Sequence, residues 1–173
     1  MGTTVQVNTA VYATTHVATN LLRSVRAIIK GCGLDTSRIR DQWEVLESGV
    51  STWLASGHLR ALTLEVFDPR RRAGDDLVGR FDFTIDYGYY PDGDGDLWFD
   101  PDAVAYVIRK QGSIPSECDY RLVADNAPGR PAVSGWSSTT YRSTAGFTRH
   151  AIGTTTGGGA LGANLAYYTR RNS

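Results

Sequence analysis

Apolar positions along the chain follow two periodicities. Val17, Leu21, Leu22, Val25, Ile28 and Ile29 recur three and four residues apart, while Arg23, Arg26 and Lys30 lie on other faces. That spacing predicts an amphipathic helix opened by Thr15 as its cap and closed by Gly31. Ile39, Trp43, Leu46, Val50, Trp53 and Leu54 repeat the pattern. They predict a second helix, capped at Asp35, Thr36 or Ser37 and stopped by Gly57. The turn between the two is short, so they should pack antiparallel.

The period then changes to two. Leu62, Leu64 and Val66 alternate with Thr63 and Glu65, and Phe81, Phe83, Ile85 and Tyr87 alternate with Arg80, Asp82, Thr84 and Asp86. Two such runs joined across Pro69 and Gly74 predict a hairpin with one apolar and one wet face. Asp100 followed by Pro101 starts a short third helix, with Val104, Val107 and Ile108 as its stripe and its end near Gly112. Tyr120, Leu122 and Ala124 mark a third strand over residues 120–125. Before all this, Val5, Val7, Thr9 and Val11 alternate along residues 1–12, which reads as an edge strand or a loose tail.

Connectivity limits the topology. The crossover helix must lie on the apolar face, which places residues 120–125 beside residues 59–67 and opposite residues 77–87. The expected body is α+β: a three-stranded, antiparallel or mixed core sheet with three helices on one face. Both outer strands are then open edges. A linker with Pro128, Gly129, Pro131 and Gly135 leads into residues 139–171, which have no helical period. Thr, Tyr, Phe and Ile favour extended backbone there. They predict short strands near residues 141–152 and 165–169, joined by a loose loop at Gly157, Gly158 and Gly159. This hairpin can add to either edge of the body.

Composition narrows the function classes. A chain of 173 residues is one domain with room for a sizeable core. Eighteen basic and eighteen acidic residues cancel, so there is no global electrostatic footprint for nucleic acid or an anionic membrane. No apolar run approaches the length of a membrane span. The first residues lack the basic and apolar regions of a signal peptide. With Cys32 and Cys118 as free thiols, the expected setting is the cytoplasm.

Candidate chemistry is sparse. The run Gly157–Gly162 matches Gly-x-Gly-x-x-Gly, yet a dinucleotide site needs an acid some distance downstream and the chain ends first. Asp92, Asp94 and Asp96 resemble the start of a calcium loop, but the sixth and twelfth places hold Leu97 and Ala103. A solvated acidic loop is the better reading. His16, His58 and His150 stand apart and match no metal or catalytic spacing. Cys32, between two glycines, has the look of an exposed thiol without a motif. Arg70, Arg71 and Arg72 read as a solvated turn balanced by Asp75 and Asp76. Trp43 and Trp53 read as core, whereas Trp98 and Trp136 sit in loop context and suit contact surfaces. No catalytic residue, metal site or cofactor is expected.

The order of elements resembles the HORMA domain, and more specifically the bacterial HORMA proteins of CBASS anti-phage operons. The residues that carry the resemblance are Thr15-His16-Val17-Ala18-Thr19-Asn20-Leu21-Leu22-Arg23, Trp53-Leu54-Ala55-Ser56-Gly57-His58-Leu59 and Tyr141-Arg142-Ser143-Thr144-Ala145-Gly146. It implies a single domain over 1–173: an N-terminal segment (1–14), a core (15–138) and a safety-belt region (139–173). It also implies a switch rather than an enzyme. The belt would wrap over a closure-motif peptide that adds as a strand to the sheet edge.

Carried onto this chain, the resemblance makes Tyr120, Arg121, Leu122, Val123 and Ala124 the peptide-binding edge, flanked by Val104, Val107 and Ile108. The belt would comprise Tyr141, Phe147, Ile152, Gly157, Gly158, Gly159, Leu165, Tyr167 and Tyr168. The implied partners are a cGAS/DncV-like nucleotidyltransferase, activated by the closed state, and an AAA+ ATPase remodeler. The remodeler would reopen the belt by pulling on the N-terminus at Val5, Val7 and Val11. A small enzyme with a glycine-rich lid and a structural assembly subunit are the alternatives to this reading.

Overall fold

The computed structural model describes residues 2–89 and 96–171, with the backbone alone over residues 2–10. The helices are α1 (Gly2–Gly31), α2 (Ser37–Asp41), α3 (Trp43–Ala55) and α4 (Pro101–Gln111). The strands are β1 (Leu59–Phe67), β2 (Leu77–Asp86), β3 (Trp98–Phe99), β4 (Asp119–Asn126), β5 (Phe147–Gly158) and β6 (Leu161–Arg170). They form one six-stranded sheet in the order β3-β5-β6-β2-β1-β4, antiparallel at every pairing.

The helix stripes and the strand alternation meet in a single core. Val17, Leu21, Leu22, Val25, Ile28 and Ile29 of α1 are fully buried. They pack with Val50 and Trp53 of α3, Leu62, Leu64 and Val66 of β1, and Phe81 and Phe83 of β2. β2 and β4 flank β1 and both run antiparallel to it, as a crossover through α4 requires. The α+β body of the sequence reading is therefore present, with its predicted strand order.

Several local expectations change. The first residues are neither an edge strand nor a tail: α1 begins at Gly2, so Thr15 lies inside it and caps nothing. A helix nucleated by the buried stripe propagates at low cost, and this overrides the β-branched content of the first turns. The side chains of Val5 and Val7 lie outside the described residues; Val11 is exposed.

Gly31 is not the left-handed stop. Its Cα faces Ile108, whose Cγ2 would stand 2.7 Å from an added Cβ, and the residue with positive φ is Gly33. Gly57 does end α3 as expected (φ +76°), with the His58 amide donating to Trp53 O at 2.9 Å. The second helix is two pieces, α2 and α3, that break at Gln42. Cys32 is buried rather than exposed, and burial pushes its thiol up to about 11.

The glycine run is the largest departure. It is not a loose loop. Gly157 and Gly158 continue β5 and pair with Gly162 and Leu161 across a tight turn at Gly159-Ala160. Small residues are needed there because other elements sit on the backbone. An added Cβ would lie 2.7 Å from Trp98 Nε1 at Gly157, 2.5 Å from Leu97 Cδ2 at Gly158, and 2.9 Å from Tyr89 Cγ at Gly162. β3 locks this hairpin tip by pairing Trp98 with Gly157. His16 of α1 bonds the Trp98 carbonyl through Nε2 at 2.8 Å.

Candidate functional site

The hairpin β5–β6 adds to β2, so the sheet ends at β4 on the other side. That strand has a partner, β1, along one edge only. Tyr120 shows which of its residues point outward. Its amide donates to its neighbour's carboxylate, Asp119 Oδ1, at 2.7 Å, and its carbonyl accepts from the Arg38 guanidinium. Both backbone groups therefore face away from β1. Orientation alternates in an antiparallel ladder, so Leu122 and Ala124 also present N–H and C=O outward. Unlike Tyr120, they have no side chain capping these groups among the described residues.

The opposite end of the sheet is built differently. β5 carries two register breaks, between Ala151 and Gly153 and between Thr154 and Thr156, and Gly153 sits at φ +117°. Its far end is covered by β3, and the Asp100 amide donates to Thr155 O at 2.7 Å. Bulges and covering segments are how a sheet edge is blunted against strand addition. In the β1–β4 ladder the only irregularity lies at Leu59/Ala61, on β1. One edge is broken by bulges and covered at its far end, and the other is smooth.

Residues 127–146 arch around the smooth edge from the helix layer to the opposite face. On the helix side, Trp53 Nε1 donates to Pro131 O at 2.8 Å and Trp136 Nε1 donates to Val45 O at 2.9 Å. The two indoles meet edge to face at 5.0 Å. Trp136 fits because α3 has Gly49 beneath it, where a Cβ would stand 2.3 Å from the indole nitrogen. Between arch and strand lies a cavity of about 250 Å³. Trp53, the strand residues 122–126, Arg130 and the arch residues 136–139 line it.

The arch reaches the other face at a buried carboxylate. Glu65 is wholly enclosed. It accepts from Arg121 Nε at 2.6 Å, from the Arg142 amide at 2.8 Å and from Arg142 Nη1 at 3.0 Å. Arg142 also donates to Asp76 at 3.0 Å and lies 3.6 Å over the Phe67 ring. Arg121 completes the clasp by donating to Thr139 Oγ1 and Thr140 O. Beside it, Arg80 stacks between Tyr141 and Tyr168 and pairs with the buried Asp82. Tyr168 donates to that same carboxylate at 2.9 Å. The face expected to be wet is thus covered by the arch.

The residues singled out in the sequence fall in three places. Leu122, Val123 and Ala124 line the cavity, Arg121 holds the lining residue Thr139, and Tyr120 lies outside it with its hydroxyl donating to Asp35 O. Val104 and Val107 are buried on α4, which packs on α1, β5 and β6, and Ile108 lies on Gly31. None of these three lines the cavity. Tyr141 belongs to the arch; Phe147, Ile152, Gly157 and Gly158 belong to β5, Gly159 to the turn, and Leu165, Tyr167 and Tyr168 to β6.

The remaining candidates have structural partners. His58 bonds Ser56 Oγ, and His150 bonds Thr169 Oγ1 while stacking on Tyr167. Asp68, not Asp75 or Asp76, takes Arg70 and Arg71. The Arg70 guanidinium and amide hold the Asp68 carboxyl down at about 2. Asp92 and Asp94 lie outside the described residues. Among the described residues, no group of acids, cysteines or histidines is arranged to hold a metal, and no helix is long and apolar enough to cross a membrane. Sequence reasoning missed Glu65, Arg142, Arg130 and Asn126. The Glu65–Arg142 pair joins positions far apart in the chain and leaves no local signal.

Known proteins fit this architecture. The family profile described as bacterial HORMA domain 2 matches residues 2–171. One structural neighbour is a chain of the mitotic checkpoint complex: 10% identity, TM-score 0.70, covering 92% of this chain and 99% of that one. Another is C. elegans HTP-2 bound to a HIM-3 closure motif: 12% identity, TM-score 0.60, 92% and 86% coverage. A third comes from the E. coli MS115-1 CdnC:HORMA-deltaN complex: 12% identity, TM-score 0.54, 94% and 89% coverage. At these identities the likeness is one of fold. No curated protein sequence matches the chain significantly.

Proposed function

The chain belongs to the bacterial HORMA domain family, and from that premise we propose that it is a non-enzymatic, peptide-binding switch. A closure-motif peptide adds as a strand to β4, with residues 127–146 as the belt that encloses it. The peptide-bound form binds and activates a cGAS-like nucleotidyltransferase in anti-phage signalling. An AAA+ ATPase acting on the N-terminal part of α1 reopens it. We draw the belt at residues 127–146 and not at 139–173, since β5 and β6 are strands of the receiving sheet.

The observation that carries this reading is the smooth β4 edge inside the arch, with Leu122 and Ala124 turned toward a cavity. Each of these two residues offers one donor and one acceptor. Four backbone hydrogen bonds at roughly 1 kcal/mol each, with some buried side-chain area, approach the roughly 5.5 kcal/mol needed to swing a two-state switch. The HTP-2 neighbour, solved with a closure motif, supports peptide addition. The CdnC:HORMA-deltaN complex supports a protein partner.

The test uses Ala124→Pro. Proline removes one outward-facing amide and is tolerated where that amide does not serve the ladder. The full chain and the variant are each mixed with a cGAS-like nucleotidyltransferase from the same genome, and nucleotide product is measured. The reading expects stimulation by the wild type and its loss in the variant. Equal stimulation by both would overturn strand addition at β4.

A further inference from the structure

Among the described residues, the arginines around the arch have carboxylate partners with one exception. Arg121 and Arg142 share Glu65, Arg142 also reaches Asp76, and Arg60 holds Asp125 at 3.1 Å. Arg130 lines the same cavity, and its guanidinium lies 5.2 Å over the Trp53 ring. It has no carboxylate partner among the described residues. Stacking on an indole fixes the plane of a guanidinium and leaves its N–H fork free.

A half-enclosed cation without a carboxylate, in a cavity that runs along the β4 edge beside the outward backbone groups of Leu122 and Ala124, describes a site for an anionic extended chain.

We propose that the occupant of this cavity is an extended peptide bearing a carboxylate, bound through the Arg130 fork while its backbone pairs with Leu122 and Ala124. This rests on the strand-addition reading above and deepens it by naming the chemistry that selects the peptide. Arginine matches a carboxylate with two parallel N–H···O bonds, and such charge-assisted pairs are the strong ones. The belt arginine therefore discriminates among strands that the β4 backbone alone would accept equally, since main-chain bonds confer affinity and side-chain pockets confer specificity. The carboxylate comes either from an Asp or Glu side chain or from a C-terminus.

The experiment separates these sources. Two synthetic arrays of random-sequence dodecapeptides are probed with the full chain. One is tethered through the C-terminus and offers only side-chain acids. The other is tethered through the N-terminus with a free terminal carboxylate. Each is probed with wild type, Arg130→Gln, Arg130→Glu and Ala124→Pro, all checked for folding by thermal melting.

Wild type should select peptides with an acid at one fixed position, or with a free C-terminus. Arg130→Gln should bind the same peptides about tenfold more weakly. Arg130→Glu should turn the preference at that position to Lys or Arg. Binding that Ala124→Pro abolishes but that shows no acidic preference would overturn the carboxylate proposal and leave strand addition standing. An acidic preference that persists in Arg130→Glu would overturn it as well. Binding insensitive to Ala124→Pro, or no peptide binding on either array, would overturn both readings.

Discussion

Arg142 donates to Glu65 twice, through its backbone amide at 2.8 Å and its Nη1 at 3.0 Å. The pair ties the belt to the centre of the sheet. Both groups lie in a region that the belt itself keeps from water, with Glu65 wholly buried. Belt closure and satisfaction of a buried charge are thus one event. A belt that lifts away must leave Glu65 either solvated or held by Arg121 alone.

Breaking that pair should loosen the belt selectively. Arg142→Ala leaves Glu65 with Arg121, so the loss should fall below the 3–5 kcal/mol of a fully orphaned buried charge, at about 2 kcal/mol. Hydrogen exchange of residues 139–146 should accelerate while α1 and β1 keep their protection. Uniform acceleration across the chain would show that the clasp stabilises the whole fold and not the belt in particular.

The glycine hairpin should be intolerant of small additions. Gly162→Ala and Gly158→Ala push a methyl group into Tyr89 and Leu97 and should each cost about 1–3 kcal/mol in denaturant unfolding. Nucleotides should leave the melting temperature unchanged, because these glycines make room for protein side chains rather than phosphates. A nucleotide-induced rise in melting temperature would contradict this.

Thiol chemistry should report the packing of α1. Cys32 is buried, its thiol is pushed up to about 11, and Cys118 is raised in the same direction by burial. The native chain at pH 8 should react slowly with a disulfide reagent, since the reactive form is the thiolate. In denaturant both cysteines should react at once.

Asp68 gives a stability term with a defined pH window. Its folded carboxyl titrates near 2, below its ordinary value of 3.8, because Arg70 and Arg71 face it. A depressed carboxylate stabilises the fold above its unfolded pKa, and the contribution is lost as pH falls through the folded one. Asp68→Asn should therefore lower stability at pH 7, and the difference should fade between about pH 4 and pH 2. A constant difference across that range would assign the effect to packing.

Much of the body was legible because it is local. Leu62, Leu64 and Val66 had to share a face, and Val17 through Ile29 had to form a stripe, whatever lay elsewhere. The crossover through α4 then limited where β4 could go. What was not legible depends on distant partners. Nothing near Glu65 signals burial, since a glutamate on the polar face of a hairpin looks solvated until Arg142 is known to lie above it. The glycines of the hairpin looked flexible because Tyr89, Leu97 and Trp98, which need the space, come from another segment. Val5, Val7 and Val11 suggested a strand because their spacing is even, yet the helix behind them extends through them.

The central claim is that β4 receives a strand, and amide exchange at Leu122 and Ala124 tests it most directly. NMR exchange rates are measured on the isotopically labelled full chain, alone and saturated with a dodecapeptide selected from the arrays. The account predicts fast exchange at both amides in the free protein, strong protection in the complex, and little change at Val123, whose amide already serves the ladder with β1. Protection appearing at β5 or at the α1–α3 groove, with Leu122 and Ala124 still exchanging freely, would contradict it.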